Sequence, residues 1–248
     1  MNNKSSKYIP TFLTGKKRIF IGKCIYCGSK EDLRVEHALP ESLNGDLLLE
    51  SASCRNCEVI TGKFEARYTR DTLKPFRDYW GFKSKRRNKK RLQSFPIKLL
   101  HEGQVINVNV SKEDYMPVIP LWELGHPERF ASLPHFKSLN FGEAKLVVFT
   151  TKSEEELINT IEKFNVDELA VEFPLYIGDF LRMIAKIAYC FAVAKYGLNC
   201  IGENYVLDGI LGKSSDLFRW VGSEGKQLLF EEGKQIKANH VVKCRFST

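Results

Sequence analysis

Leu33 to Gly45 reads LRVEHALPESLNG, with an acid and an imidazole side by side at Glu36-His37. The stretch lies between two C-x-x-C pairs, Cys24/Cys27 and Cys54/Cys57. Each pair suits a tight knuckle, Gly28 supplying the turn after Cys27, and four thiolates close a tetrahedral shell around Zn2+ with no open position. Such a site holds structure and does no chemistry. The polar segment between the pairs is too small to hold itself together, so a structural zinc would supply much of its folding free energy. The staple would fix the strand carrying Glu36-His37 against a helix starting at the second pair.

Around this centre the local signals are plain. LRVEHAL has strand character and ends at Pro40, and Asn44-Gly45 is a turn signal. From Cys54, CRNCEVITGKFEARYTRDTL lacks proline and predicts a helix with Val59, Ile60, Phe64 and Tyr68 as its apolar positions. A second short helix is predicted over Thr72 to Trp80, with Pro75 in its first turn. KSKRRNKKR follows, seven basic residues in nine from Lys83 to Arg91, and reads as an exposed loop. Residues 1–17 read as a loose Lys/Ser-rich arm.

The fold class expected is α+β, with a domain boundary near Leu92. Residues 1–92 would form the zinc-stapled unit and 93–248 a second α+β domain of unassigned role. In that second part GQVINVNV, AKLVVFT and ELAVEF predict strands. Ser153 to Asn165 predicts a helix with a capping box, Ser153 and Glu156, and an apolar face of Leu157, Ile161 and Phe164. FLRMIAKIAYCFAVAKY, Phe180 to Tyr196, predicts a buried helix capped by Asp179. It is too short, and too interrupted by Arg182, Lys186 and Lys195, to span a bilayer. Arg182 and Lys186 are expected to form a polar stripe paired with acids such as Glu172, or to touch nucleic acid or a partner protein.

Charge is unevenly placed. Residues 1–92 carry 21 Lys+Arg against 10 Asp+Glu, a net +11, whereas the remainder carries 17 against 20. A basic first third is suited to polyanions, and Arg67, Arg70, Lys74 and Arg77, at helical spacing, lead into the run Lys83, Lys85, Arg86, Arg87, Lys89, Lys90 and Arg91. Together they predict a track for DNA phosphates, with a charged linker as the plainer alternative. Tyr79, Trp80 and Phe82 either stack on bases or, more simply, close the domain. Cys190, Cys200 and Cys244 lack paired spacing and read as core or surface thiols. No apolar leader is visible in MNNKSSKYIPTFLTGKKR, so a cytoplasmic location without membrane attachment is expected.

From about Lys23 to Thr72, roughly a fifth of the chain, the residues resemble the HNH endonucleases, whose ββα-metal fold places an acid or His before the catalytic His on the first strand. The resemblance implies a metal-dependent DNA endonuclease with His37 as general base, Glu36 beside it, and Mg2+ or Mn2+ as catalytic metal. It implies a last metal ligand directly after the final Cys. Glu58 stands there in place of the usual Asn or His, with Glu65, seven residues on, as an alternative ligand. The family's His-orienting Asn corresponds to Asn44 or Asp46. Nuclease domains joined to further modules occur in mobile elements and anti-phage systems, which makes a protein partner for the C-terminal part an expectation of the same kind.

The chemistry is consistent with these residue types. A neutral imidazole with a pKa of about 6.5 can take a proton from water near neutrality. A divalent metal on oxygen ligands can stabilise the departing oxygen. The alternative reading is a catalytically inactive zinc-stapled module that binds nucleic acid or protein.

Overall fold

The first C-x-x-C pair closes as a knuckle: the Gly28 N–H donates to the Cys24 carbonyl at 2.9 Å and the Cys24 N–H to that of Ser29 at 2.7 Å. Gly28 has φ +77°, a backbone conformation that costs a residue without a Cβ nothing. In this computed structural model, which describes residues 17–82, 94–125, 127, 144–200 and 205–222, the knuckle abuts a three-stranded sheet. Strand β1 (Lys17–Phe20) pairs parallel with β3 (Leu47–Cys54), and β2 (Leu33–His37) pairs antiparallel with β3 on its other side.

The β2–β3 ladder is irregular at one point. Arg34 stands opposite Ser53 but Glu36 opposite Leu49, so Val35 alone spans Glu50, Ser51 and Ala52, with Ser51 at φ +52°. Such a bulge bends and twists the strand beside the irregularity. The loop back from β2 is tight: the Ala38 N–H donates to Leu47 and the Gly45 N–H to Pro40. A Cβ on Gly45 would lie 1.9 Å from the Leu39 carbonyl oxygen, so only glycine passes there.

Helix α1 (Arg55–Arg67) starts at Cys54, runs on as a π turn over Tyr68–Thr72, and is followed by α2 (Lys74–Trp80) with Pro75 in its first turn. The buried face of this run is Cys57, Thr61, Phe64 and Tyr68, while Val59 is exposed. Apolarity alone put Val59 and Ile60 inward. The inward turn of Cys57 sets the helical phase instead, and positions four, seven and eleven residues on follow it.

Three further strands form a second sheet, in the order β5 (Gln104–Val110), β4 (Phe95–His101), β8 (Glu168–Ala170), and β6 (Val118–Glu123) pairs with β7 (Lys145–Thr150). Helix α3 (Glu154–Phe164) has the expected capping box, the Glu156 N–H donating to Ser153 Oγ and the Ser153 N–H to the Glu156 carboxylate. Helix α4 (Ile177–Tyr196) leads through a short turn to α5 (Tyr205–Ile210). Asp179 does not cap α4. Tyr176 precedes the helix, and the Asp179 carboxylate points to Arg67 instead.

Among the described residues the fold is therefore a mixed α+β arrangement of small sheets and five helices. The largest core among these residues spans position 92, as Leu49, Phe64 and Tyr68 pack in one cluster with Phe180, Met183, Tyr189 and Val193. Smaller clusters lie under the second sheet and under β6 and β7. Among the described residues, no helix is long and apolar enough to cross a membrane.

Candidate functional site

The sulfurs of Cys24, Cys27, Cys54 and Cys57 all lie within 4.8 Å of one another, with Cys27 and Cys54 3.6 Å apart. A Zn–S bond of about 2.3 Å in tetrahedral geometry places sulfurs about 3.8 Å apart, so the separation is of the right size. Cys24, Cys54 and Cys57 are buried and Cys27 is exposed. Burial and the nearby Cys24 sulfur raise the Cys57 thiol well above its ordinary value. At Cys54 burial also pushes upward, but the Cys57 backbone N–H and the neighbouring thiols outweigh it, and the net direction is down. Four crowded sulfurs on two knuckles, all-thiolate in donor set, can hold a zinc ion.

Behind this cluster lies a second polar centre. Glu36 is buried, and its Oε1 lies 2.7 Å from the ammonium of Lys186. The same Nζ lies 2.7 Å from Glu65 Oε1 and donates to the backbone carbonyl of His37. An ammonium has three N–H donors, and here three oxygens surround it. Lys186 is fully buried. Burial alone would lower its pKa, but the carboxylates of Glu36 and Glu65 more than compensate and the net direction is up. Lys186 was expected to pair with acids such as Glu172. Glu172 instead meets Lys98 at 2.5 Å, and the partners of Lys186 come from β2 and α1.

Helix α4 meets the four-cysteine unit along one stripe, at intervals of three and four residues. Asp179 accepts from Arg67, through Nη2 at 2.8 Å and through Nε. Arg182 stacks over the Phe64 ring at 4.6 Å and donates to the Ile210 carbonyl. Beyond Lys186, Tyr189 Oη donates to the Ile25 carbonyl at 2.7 Å, and Cys190 Sγ lies 3.6 Å from Tyr26 Oη. Burial pushes the Cys190 thiol up to about 12. Ile25 and Tyr26 are the two residues inside the first C-x-x-C pair.

The other expected site residues are dispersed. His37 is half-buried and pairs with Leu48, next to the Glu36–Leu49 pair, so regular alternation sends its side chain to the face opposite Glu36. Glu58, in the first turn of α1, is partly exposed and has Arg34 Nε at 3.6 Å. Asn44 is exposed, in the left-handed conformation that ends the Glu41–Leu43 turn. Glu36 and Glu65 are thus brought together, but by an ammonium standing where a divalent cation would have to sit. They do not fit as ligands of Mg2+ or Mn2+, and Glu58 is the one acid of the three left facing solvent.

The basic positions also divide. Arg67 is held by Asp179, Lys74 by Asp78 at 2.6 Å, and Arg77 donates to the carbonyls of Ser42 and Thr69. Arg70 is exposed. The run from Lys83 to Arg91 lies outside the described residues.

Lys186 and Tyr189 are the contributors that sequence reading placed elsewhere. The available signal was a lysine inside the most apolar helix, since a buried ammonium requires acids. Compared with protein-family models, with curated proteins and with solved structures, the chain matches none.

Proposed function

We propose that the chain is a zinc-stapled nuclease of the HNH kind, hydrolysing phosphodiester bonds in DNA with the His37 imidazole as general base. The observation that carries this reading is the division of labour at Glu36-His37. The acid is buried in an ion-pair network, while the adjacent imidazole lies on the other strand face, half-buried, with its backbone carbonyl held. A general base needs that combination of a fixed backbone and access to water.

Within this reading the four cysteines hold zinc as a staple, and His37 takes the proton from the attacking water. A divalent metal, were one held at Glu58, would supply charge neutralisation at the phosphate and the departing oxygen. Glu36 and Glu65 serve as support for the His37 strand. Electrostatic attraction of the DNA backbone falls to Arg70 and the Lys83–Arg91 run, giving affinity without sequence preference.

A second reading, a zinc-stapled binding module without catalysis, is favoured by one observation: both Glu36 and Glu65 are already paired with the Lys186 ammonium. One assay separates the two. Plasmid DNA is incubated with the protein in Mg2+, in Mn2+ and in EDTA, alongside His37→Ala and Glu58→Gln. The nuclease reading expects nicks or breaks that fall by about 10²- to 10⁴-fold in His37→Ala. It also expects Glu58→Gln to need more metal for the same rate. Retention of DNA by an uncutting wild type, with affinity falling steeply in salt, would establish the binding module.

A further inference from the structure

We infer that Lys186, from the far end of the chain, is the positioning residue that aims the His37 imidazole. Its role in catalysis rests on the nuclease reading, but its effect on His37 can be measured without any cleavage.

The Lys186 ammonium donates to the His37 carbonyl oxygen and stands at ion-pair distance, 2.7 Å, from both Glu36 Oε1 and Glu65 Oε1. Two of these partners are consecutive residues of β2 and the third lies on α1, so a single buried cation ties strand to helix at the residue in question. The geometry leaves little slack. Lys186 is fully buried, both ion-pair distances are 2.7 Å, and the helix bearing it is held on either side, by Asp179 on Arg67 and by Tyr189 on Ile25. The bulge at Val35, one residue before Glu36, breaks the β2–β3 ladder. Lys186 therefore supplies a restraint just past the interruption, where Glu36 and His37 resume pairing with Leu49 and Leu48. Fixing the His37 carbonyl fixes the peptide plane that follows its Cα, and with it the direction in which the ring leaves the strand.

Lys186→Met alone would strand two facing carboxylates in the interior, so the test piece is the charge-free combination Lys186→Met, Glu36→Gln, Glu65→Gln. Zinc content and thermal unfolding report whether it folds. Two-dimensional NMR of histidine-labelled protein reads the His37 ring, assigned by its disappearance in His37→Ala, and hydrogen exchange reads the Ala38 amide, which bonds to Leu47. The expected result is a folded, zinc-loaded protein with a shifted and broadened His37 ring and faster Ala38 exchange. Where the wild type cuts DNA, kcat should fall on the order of 10²-fold with KM unchanged.

A zinc-loaded variant with wild-type ring signals and exchange overturns the proposal. So does failure of the charge-free variant to fold, which would make Lys186 a structural residue only. A wild type that cuts no DNA defeats the nuclease reading, and the ring signals still decide whether Lys186 orients His37.

Discussion

Tyr189 donates its hydroxyl to the Ile25 carbonyl at 2.7 Å, and its ring lies 6.1 Å from that of Tyr26, centroid to centroid. The long helix thereby holds the backbone of the first cysteine knuckle from 164 residues further along the chain.

Purified protein should contain about one zinc per chain, and Cys57→Ser should lose most of it. Chelation should abolish the near-ultraviolet circular dichroism of Tyr26 and Tyr189 together with the metal, because knuckle and helix share that contact. A metal-free preparation with native tyrosine signals would remove the staple from the account.

Asp179→Ala should lower stability by about 1–3 kcal/mol, the usual range for losing hydrogen bonds to a charged group. Arg67→Ala should cost at least as much, because it leaves the buried Asp179 carboxylate without its guanidinium, whereas the half-exposed arginine left by Asp179→Ala can be hydrated. Urea unfolding midpoints with unchanged slopes would measure both.

The capping box of α3 makes a pH prediction. The Ser153 backbone N–H, with help from Lys152, holds the Glu156 carboxyl down at about 2. A folded pKa below the unfolded value of about 4.3 means a stabilising contribution present above that value and lost as pH falls toward 2. The difference in melting temperature between wild type and Glu156→Gln should therefore be constant near neutrality and shrink between about pH 4.3 and about pH 2. A difference independent of pH would refute the carboxylate's role in the cap.

Local features were legible because local physics decides them. Cysteine spacing anticipates the four-sulfur cluster, Gly28 the knuckle turn, and Ser153 with Glu156 the start of α3. Strand β4 is absent from the expected strands, and its sequence FPIKLLH carries Pro96, a residue that ordinarily counts against an inner strand. Yet β8 pairs only with Lys98–Leu100, so at Pro96 the strand has a neighbour on one side alone. The candidate site was legible only in part. Nothing in the immediate neighbourhood of Glu36, Glu65 or Lys186 says that they meet, because burial of charge is settled by whichever opposite charges the tertiary fold delivers. The sequence-near acid Glu172 was the natural guess for Lys186, and it lost to two carboxylates more than a hundred residues away.

The contact between Lys186 and His37 spans 149 residues. A ribosome makes the imidazole first and the lysine that steadies it 149 residues later, so over that interval the nascent chain carries Glu36 and then Glu65 without this counter-ion. At about 5–20 residues per second, that interval lasts on the order of ten seconds. A chain cut short before α4 would leave Glu36 and Glu65 solvated and His37 untethered, so under the proposed function DNA in the cell meets a working nuclease only once α4 has been made and packed.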